Sequence, residues 1–263
     1  MDIPRDLQGK ELFKFLKTNK EDLIYAKKNI IKHADGLSVA TNTLNPGLST
    51  NKNDGDDSKT EVKVRAIINT TNVIDSHKDV HLDGIWTKSI QENKNLKFLQ
   101  EHVMSFKTII ADKSDLDVSV QSVTWKSLGY DFEGKTEALT FDAVVKQERN
   151  PFMFKEYRNK NVDNHSVGMH YVKMDLAINS DEEDYAEEKS IWDKYIGKVV
   201  NRSEAEKSNY FWAVSEAKAI EGSAVVMGSN GFTPTVASKE NNEPNPVENK
   251  NIEAIKSFLN IKD

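Results

Sequence analysis

From Gln8 to His33, apolar residues recur at Leu12, Phe15, Leu16, Leu23, Ile24, Ile30 and Ile31, close to the helical repeat, which predicts two short helices with a break near Asn19. Thr18 and Glu21 stand three apart, the spacing of a capping box for the second helix. Residues 1–33 therefore read as a helical N-terminal segment. Residues 34–60 turn to Gly, Asn, Ser, Thr and Asp, with Asn45-Pro46-Gly47 and Asp54-Gly55-Asp56-Asp57, and read as a flexible linker. At Glu61 alternation begins: Val62, Val64 and Ala66 against Glu61, Lys63 and Arg65 is the period of a half-buried strand, so the compact domain is expected to span 61–233.

Within it, a short helix is expected around Ile85 to Leu96, followed by an extended segment through His102. Strands are marked by Val118, Val120 and Val123 and by Leu139, Phe141, Ala143 and Val145. Pro151 opens a helix to about Tyr157, since proline suits the first helical turn. Ser166 to Met174 and Tyr210 to Met227 are long β-rich runs. Between them an acidic insertion at about 180–208 begins with Asp181, Glu182, Glu183 and Asp184 and continues with Ile191, Trp192, Tyr195 and Ile196. Its spacing is that of an amphipathic surface helix, with a partner-docking or substrate-gating arm as the alternative. Residues 234–263, with Asn241-Asn242-Glu243-Pro244-Asn245-Pro246, read as a flexible C-terminal tail holding one marginal helix from Ile252 to Ile261. The fold class expected is mainly β with helices, α+β.

Composition narrows the function. At 37% apolar and 30% charged residues over 263 positions, part of the chain must lie outside a packed core. A net charge of -6 argues against electrostatic binding to nucleic acid or anionic lipid. The absence of cysteine excludes disulfides, thiolate metal sites and cysteine nucleophiles. No run approaches the ~20 apolar residues of a membrane span, and Met1-Asp2-Ile3-Pro4-Arg5-Asp6 lacks the order of a signal peptide, so a cytosolic protein without a membrane or cofactor requirement is expected.

Catalytic chemistry must then come from Ser, Thr, His and carboxylates. Of six histidines, His33 ends a helix and reads as a favourable terminal charge. Asp75, His77, Asp79, His81 and Asp83 would share one face of an extended chain, a candidate metal-ligating run for a metal-dependent hydrolase, or else a polar turn whose short side chains bond to backbone. Ser166 follows His165, which on a strand points to the opposite face, so His102, arriving after an apolar strand, is the better base. Ser166 lacks the Gly-x-Ser-x-Gly elbow of the α/β-hydrolases.

Four blocks taken in order resemble the tailed-phage prohead (capsid maturation) serine proteases, whose core is similar to that of the herpesvirus assemblins. They are Asp75 to Trp86 with Gly84-Ile85-Trp86, Phe98-Leu99-Gln100-Glu101-His102, His165-Ser166-Val167-Gly168-Met169, and Ala219-Ile220-Glu221-Gly222-Ser223-Ala224-Val225. The resemblance covers roughly 62–230. It implies a small closed β-barrel surrounded by helices, and a serine endopeptidase in which Ser166 is the nucleophile, His102 the general base and Glu221 the orienting acid. An imidazole with the ordinary pKa of about 6.5 can take a hydroxyl proton at neutral pH when a carboxylate fixes its tautomer. Glu216 competes with Glu221 for the acid's role, and at an odd spacing on a regular strand only one can face the site.

The resemblance further implies scaffold and major capsid protein as substrates, self-cleavage, action inside the procapsid in the host cell cytoplasm, and self-association as an open matter. A catalytically inactive capsid-assembly scaffold or adaptor of the same fold is the alternative. The chain departs from the family's pattern at His165, where a small residue is usual, and at Gly222, where valine is frequent.

Overall fold

The computed structural model describes residues 3–4, 6–29, 31 and 59–236. The readings made for His33, for 34–58 and for the helix from Ile252 to Ile261 lie outside them. Two helices open the chain, α1 (Gly9–Thr18) and α2 (Lys20–Asn29). There follow β1 (Glu61–Thr70), β2 (Asp79–His81), α3 (Thr87–Glu92), β3 (Lys97–Gln100), β4 (Ile109–Asp112), β5 (Leu116–Thr124), β6 (Lys135–Lys146) and α4 (Pro151–Arg158). The long strand β7 (His165–Ile178) precedes α5 (Ala186–Tyr195) and α6 (Arg202–Ser208), and β8 (Tyr210–Ala224) and β9 (Thr235–Val236) complete the described chain.

The class is mixed α/β with more strand than helix, but the barrel expected from the assemblin resemblance does not form. One sheet has the order β5-β6-β1-β9. In the other, β8 is central: β7 lies antiparallel along one edge, while β2 and β3 lie parallel along the opposite edge, β2 at the start of β8 and β3 at its end. Among the described residues no ladder joins the two sheets. Closure requires a continuous, staggered ladder around the whole circumference. Here the apolar faces are satisfied by stacking instead: Ala66, Ile68, Leu139 and Phe141 of one sheet share a core with Phe98, Ile110, Val167 and Met169 of the other. One of the chain's passages between the sheets is the 3-10 turn Lys113–Asp115, between β4 and β5. β9 pairs only at Arg65 and Ala66 of β1.

Local chemistry explains the helices that position the site. Asn150 caps α4, its side-chain oxygen accepting from the Met153 amide at 3.0 Å, and Pro151 occupies the first turn, where its missing N–H costs nothing. The break between α1 and α2 is where the sequence puts it, with the Asn19 amide donating to the Phe15 carbonyl at 2.8 Å. The insertion folds as α5 and α6 as expected, but its acidic lead-in is not simply solvated. Glu188 is buried and paired with Lys20 at 3.0 Å and Lys17 at 3.6 Å, so α1 and α2 dock on it. Burial pushes the Glu188 carboxyl up, but the Lys20 hydrogen bond and both lysine charges outweigh it and hold it below the ordinary range.

Candidate active site

His102 owes its position to a departure from regular structure. β3 stops at Gln100, and Glu101 and His102 both adopt left-handed φ, +53° and +59°, so the extended segment expected through His102 ends two residues early. Non-glycine residues rarely hold this conformation, and consecutive ones turn the chain sharply. The turn carries His102 back over β8, where its backbone N–H donates to the Ser223 hydroxyl at 3.1 Å.

There its ring meets Glu221: the Nδ1–H donates to Glu221 Oε1 at 2.5 Å. Glu221 is fully buried, and its other oxygen, Oε2, accepts from the Ser223 hydroxyl at 2.6 Å. One serine thus fastens both the acid and the histidine's backbone. With Nδ1 engaged by the carboxylate, the tautomer is fixed and Nε2, also buried, is the ring's basic nitrogen.

Glu221 reaches this place because of a bulge. Gly168 pairs with Glu221 and Met169 with Ala219, which leaves Ile220 as an extra residue on β8. Ala217 and Ala219 face the shared core before the bulge, Gly222 and Ala224 after it, so Glu221 and Ser223 point to the other face. Strict alternation between Glu216 and Glu221 therefore does not apply. Glu216 points to that other face as well, but several rungs away, where it pairs with Lys173 at 2.6 Å and Lys88 at 3.5 Å.

Ser166 stands directly across the ladder from Ser223. Directly opposed residues of an antiparallel pair project to the same face with Cβ atoms about 5 Å apart, so Ser166 is one side chain away from the His102–Glu221 pair. Among the described residues its hydroxyl makes no hydrogen bond. The structure brings His102 and Glu221 together and sets Ser166 on their face without closing the third contact. Ser223 is no rival nucleophile, because it is wholly buried and its proton is given to Glu221.

Gly168 faces the same way as Ser166, two residues along β7. A Cβ there would lie 2.1 Å from Glu221 Oε1, so the glycine's missing side chain is the space the carboxylate fills. Neither this role nor the Ser223 clamp follows from the motifs read in the sequence, although a serine two residues after an acid on one strand shares its face. At Gly222 a Cβ would stand 2.6 Å from Phe141 Cε2, so a larger side chain there would run into the core.

His165 lies on the opposite face of β7, as its parity predicts. It is fully buried against Tyr157, with Nδ1–H donating to the Thr233 carbonyl at 3.0 Å and Nε2 accepting from the Tyr157 hydroxyl at 3.1 Å. Burial lowers its pKa to about 4, the Thr233 bond opposing only in part, so it is neutral at pH 7.

The Asp75 to Asp83 run is not one extended ligand face: it turns at Asp75 to Lys78 before entering β2. Asp75 accepts from the backbone amides of His77 and Asp79, and Lys78 has φ +61°. Asp79 and His81 meet at the Tyr171 hydroxyl, with Lys27 and Asn69 as their other partners, while Asp83 turns away to Thr71 and Asn72. Among the described residues no three metal-ligating side chains converge. Compared with known proteins, the chain matches no family model, no curated protein and no solved structure.

Proposed function

We propose that this chain is a serine endopeptidase with Ser166 as nucleophile, His102 as general base and Glu221 as the acid that orients the imidazole. The observation that carries the reading is the 2.5 Å contact between the His102 ring and a fully buried carboxylate, set on the same face of the ladder as Ser166. The Ser166 hydroxyl attacks the scissile carbonyl while His102 Nε2 takes its proton. Glu221 stabilises the imidazolium, which then protonates the leaving amine, and water releases the acyl group by the reverse sequence. The reading requires Ser166 Oγ and His102 Nε2 to come within hydrogen-bond reach, as catalytic hydrogen bonds do that tighten only when substrate is bound.

The resemblance to prohead proteases supplies the substrates of the proposal: scaffold and major capsid protein, cut inside the procapsid in the host cytoplasm. The polar composition of 34–60 and of the tail after Thr233 makes them the places for self-cleavage. Ser166, a residue 5% exposed whose hydroxyl is not hydrogen-bonded among the described residues, favours one other reading, a catalytically inactive assembly scaffold or adaptor of the same fold. Co-expression with the cognate capsid protein, followed by fragment mass measurement for wild type and Ser166→Ala, separates the two. Fragments made by the wild type and lost with the alanine variant are expected; fragments that persist with alanine would overturn the assignment.

A further inference from the structure

The ends of β3 and β8 leave the sheet together, because the two strands run parallel with Gln100 beside Ala224 and the Glu101 amide donating to the Ala224 carbonyl at 2.9 Å. Ser166, at the start of antiparallel β7, lies at the same end, and the Val225 amide reaches back to the Asn164 carbonyl. Both departing segments are apolar and exposed where solvent should favour polar residues. Phe106 is 87% exposed, Val226 78% and Met104 62%, with Val103 and Met227 also exposed. These five make up more than half of the large exposed apolar side chains among the described residues, and they follow His102 and Ser223 by only a few positions. Exposed apolar clusters of this kind mark binding surfaces.

The segment after His102 is held rigidly. Ser105 and Thr108 form a reciprocal cap, and the Thr108 hydroxyl donates to the Val103 carbonyl at 2.5 Å. The segment after β8 is pinned too: Gly228 lies against the His165 carbonyl, where a Cβ would approach to 2.9 Å, and Asn230 bonds to Thr70. Side chains presented by fixed backbone lose little freedom on binding.

We infer that these two segments form an apolar rim that grips hydrophobic side chains of an extended polypeptide on either side of the bond delivered to Ser166. The inference rests on the serine-endopeptidase reading and names its substrate class: unfolded or extended segments with apolar residues within a few positions of the cleaved bond. A stably seated second copy of the chain would cover Ser166, whereas a transient peptide uses the same surface and leaves.

The full chain is incubated with a library of random decapeptides and the cleavage sites are read by mass spectrometry. A fluorogenic peptide is then built on the preferred sequence and used for kinetics. Apolar residues should be enriched beside the cut bond. Phe106→Ser and Met227→Ser should each raise KM roughly tenfold, the scale of losing an apolar contact in a specificity pocket, while kcat and the melting temperature stay put. Tyr25→Ser, an exposed residue on α2, should change neither.

Unchanged KM in both rim variants, with cleavage still lost in Ser166→Ala, would remove the rim and leave the protease reading standing. Cleavage that survives Ser166→Ala, or no cleavage by the wild type at all, would remove the reading beneath it and the rim with it. A wild-type dimer in sedimentation velocity that dissociates on Phe106→Ser would assign the surface to a second copy and overturn the inference.

Discussion

The smallest side-chain change available at the site should be among the most damaging. A methyl added at Gly168 would stand 2.1 Å from Glu221 Oε1, 2.9 Å from Cδ and 3.1 Å from Cγ. Unstrained carbon contacts sit near 3.5 Å or beyond, so the carboxylate must retreat by more than ~1 Å. The atoms in the way belong to the end of a side chain, so the β7 ladder can persist while the acid moves. That displacement breaks the 2.5 Å bond to His102 and frees the ring to take the wrong tautomer. Loss of tautomer control in a Ser-His-acid site costs on the order of 10⁴ in kcat. Overpacking costs stability about 1–3 kcal/mol, which leaves a folded protein.

Two measurements check this for Gly168→Ala: steady-state cleavage of a peptide substrate, and the proton resonance of the His102 Nδ1–H, which should lose the downfield position of a strong carboxylate bond. Glu221→Gln should be comparably impaired, and the double variant hardly worse than either, because residues acting as a unit are not additive. An alanine variant within threefold of wild-type kcat and with an unchanged ring proton would show that the glycine's space is not what holds the acid.

Ser223→Ala removes both the donor to Glu221 Oε2 and the acceptor for the His102 amide, and hydrogen bonds to charged groups of about 1.5–3 kcal/mol predict a kcat loss of roughly ten- to a hundredfold at constant KM. Ser223→Thr should recover part of it in the same kinetic assay, and an unaltered kcat in Ser223→Ala would rule the clamp out. His165, held neutral down to about pH 4 when folded, takes its proton near pH 6.5 when unfolded, so between those values the unfolded chain binds more protons. Its stability contribution is complete above pH 6.5 and falls by about 3 kcal/mol as pH drops to 4. The pH slope of the melting temperature in that window should be shallower in His165→Gln than in wild type, and equal slopes would contradict the assignment.

Lys27→Met leaves buried Asp79 without its 2.6 Å lysine and should cost about 3 kcal/mol in urea unfolding, partly regained with Asp79→Asn. A loss below ~0.5 kcal/mol would show that the pair is solvent-screened.

What the sequence discloses here is periodicity, and what it conceals is every place where periodicity breaks. The alternation of Val62, Val64 and Ala66 and of Leu139 to Val145 marks β1 and β6, and Asn150-Pro151 marks α4, because in each case one local rule governs the whole element. Ile220 follows no rule visible in a one-dimensional pattern, yet that inserted residue decides which face Glu221 takes. The left-handed turn at Glu101 and His102 carries no glycine to announce it. Asp75 to Asp83 looks like a ligand face only if the chain is extended, and Lys78 ends that. The barrel is implied by the resemblance alone, and the sequence does not check it, because a sequence tells which face of a strand is apolar but not whether that face is buried by ladder closure or by another sheet.

The docking of α1 and α2 changes how the chain can be divided. Leu16 and Leu23 are buried in the main core, Lys20 and Lys27 pair with buried carboxylates, and Lys17 also donates to the Asp184 carbonyl. None of these contacts depends on the peptide connection that runs from α2 to β1. A chain nicked within 32–58 would migrate as two bands under denaturing conditions and as one particle under native ones. A version begun at residue 60 would be a core stripped of one wall, not a minimal domain.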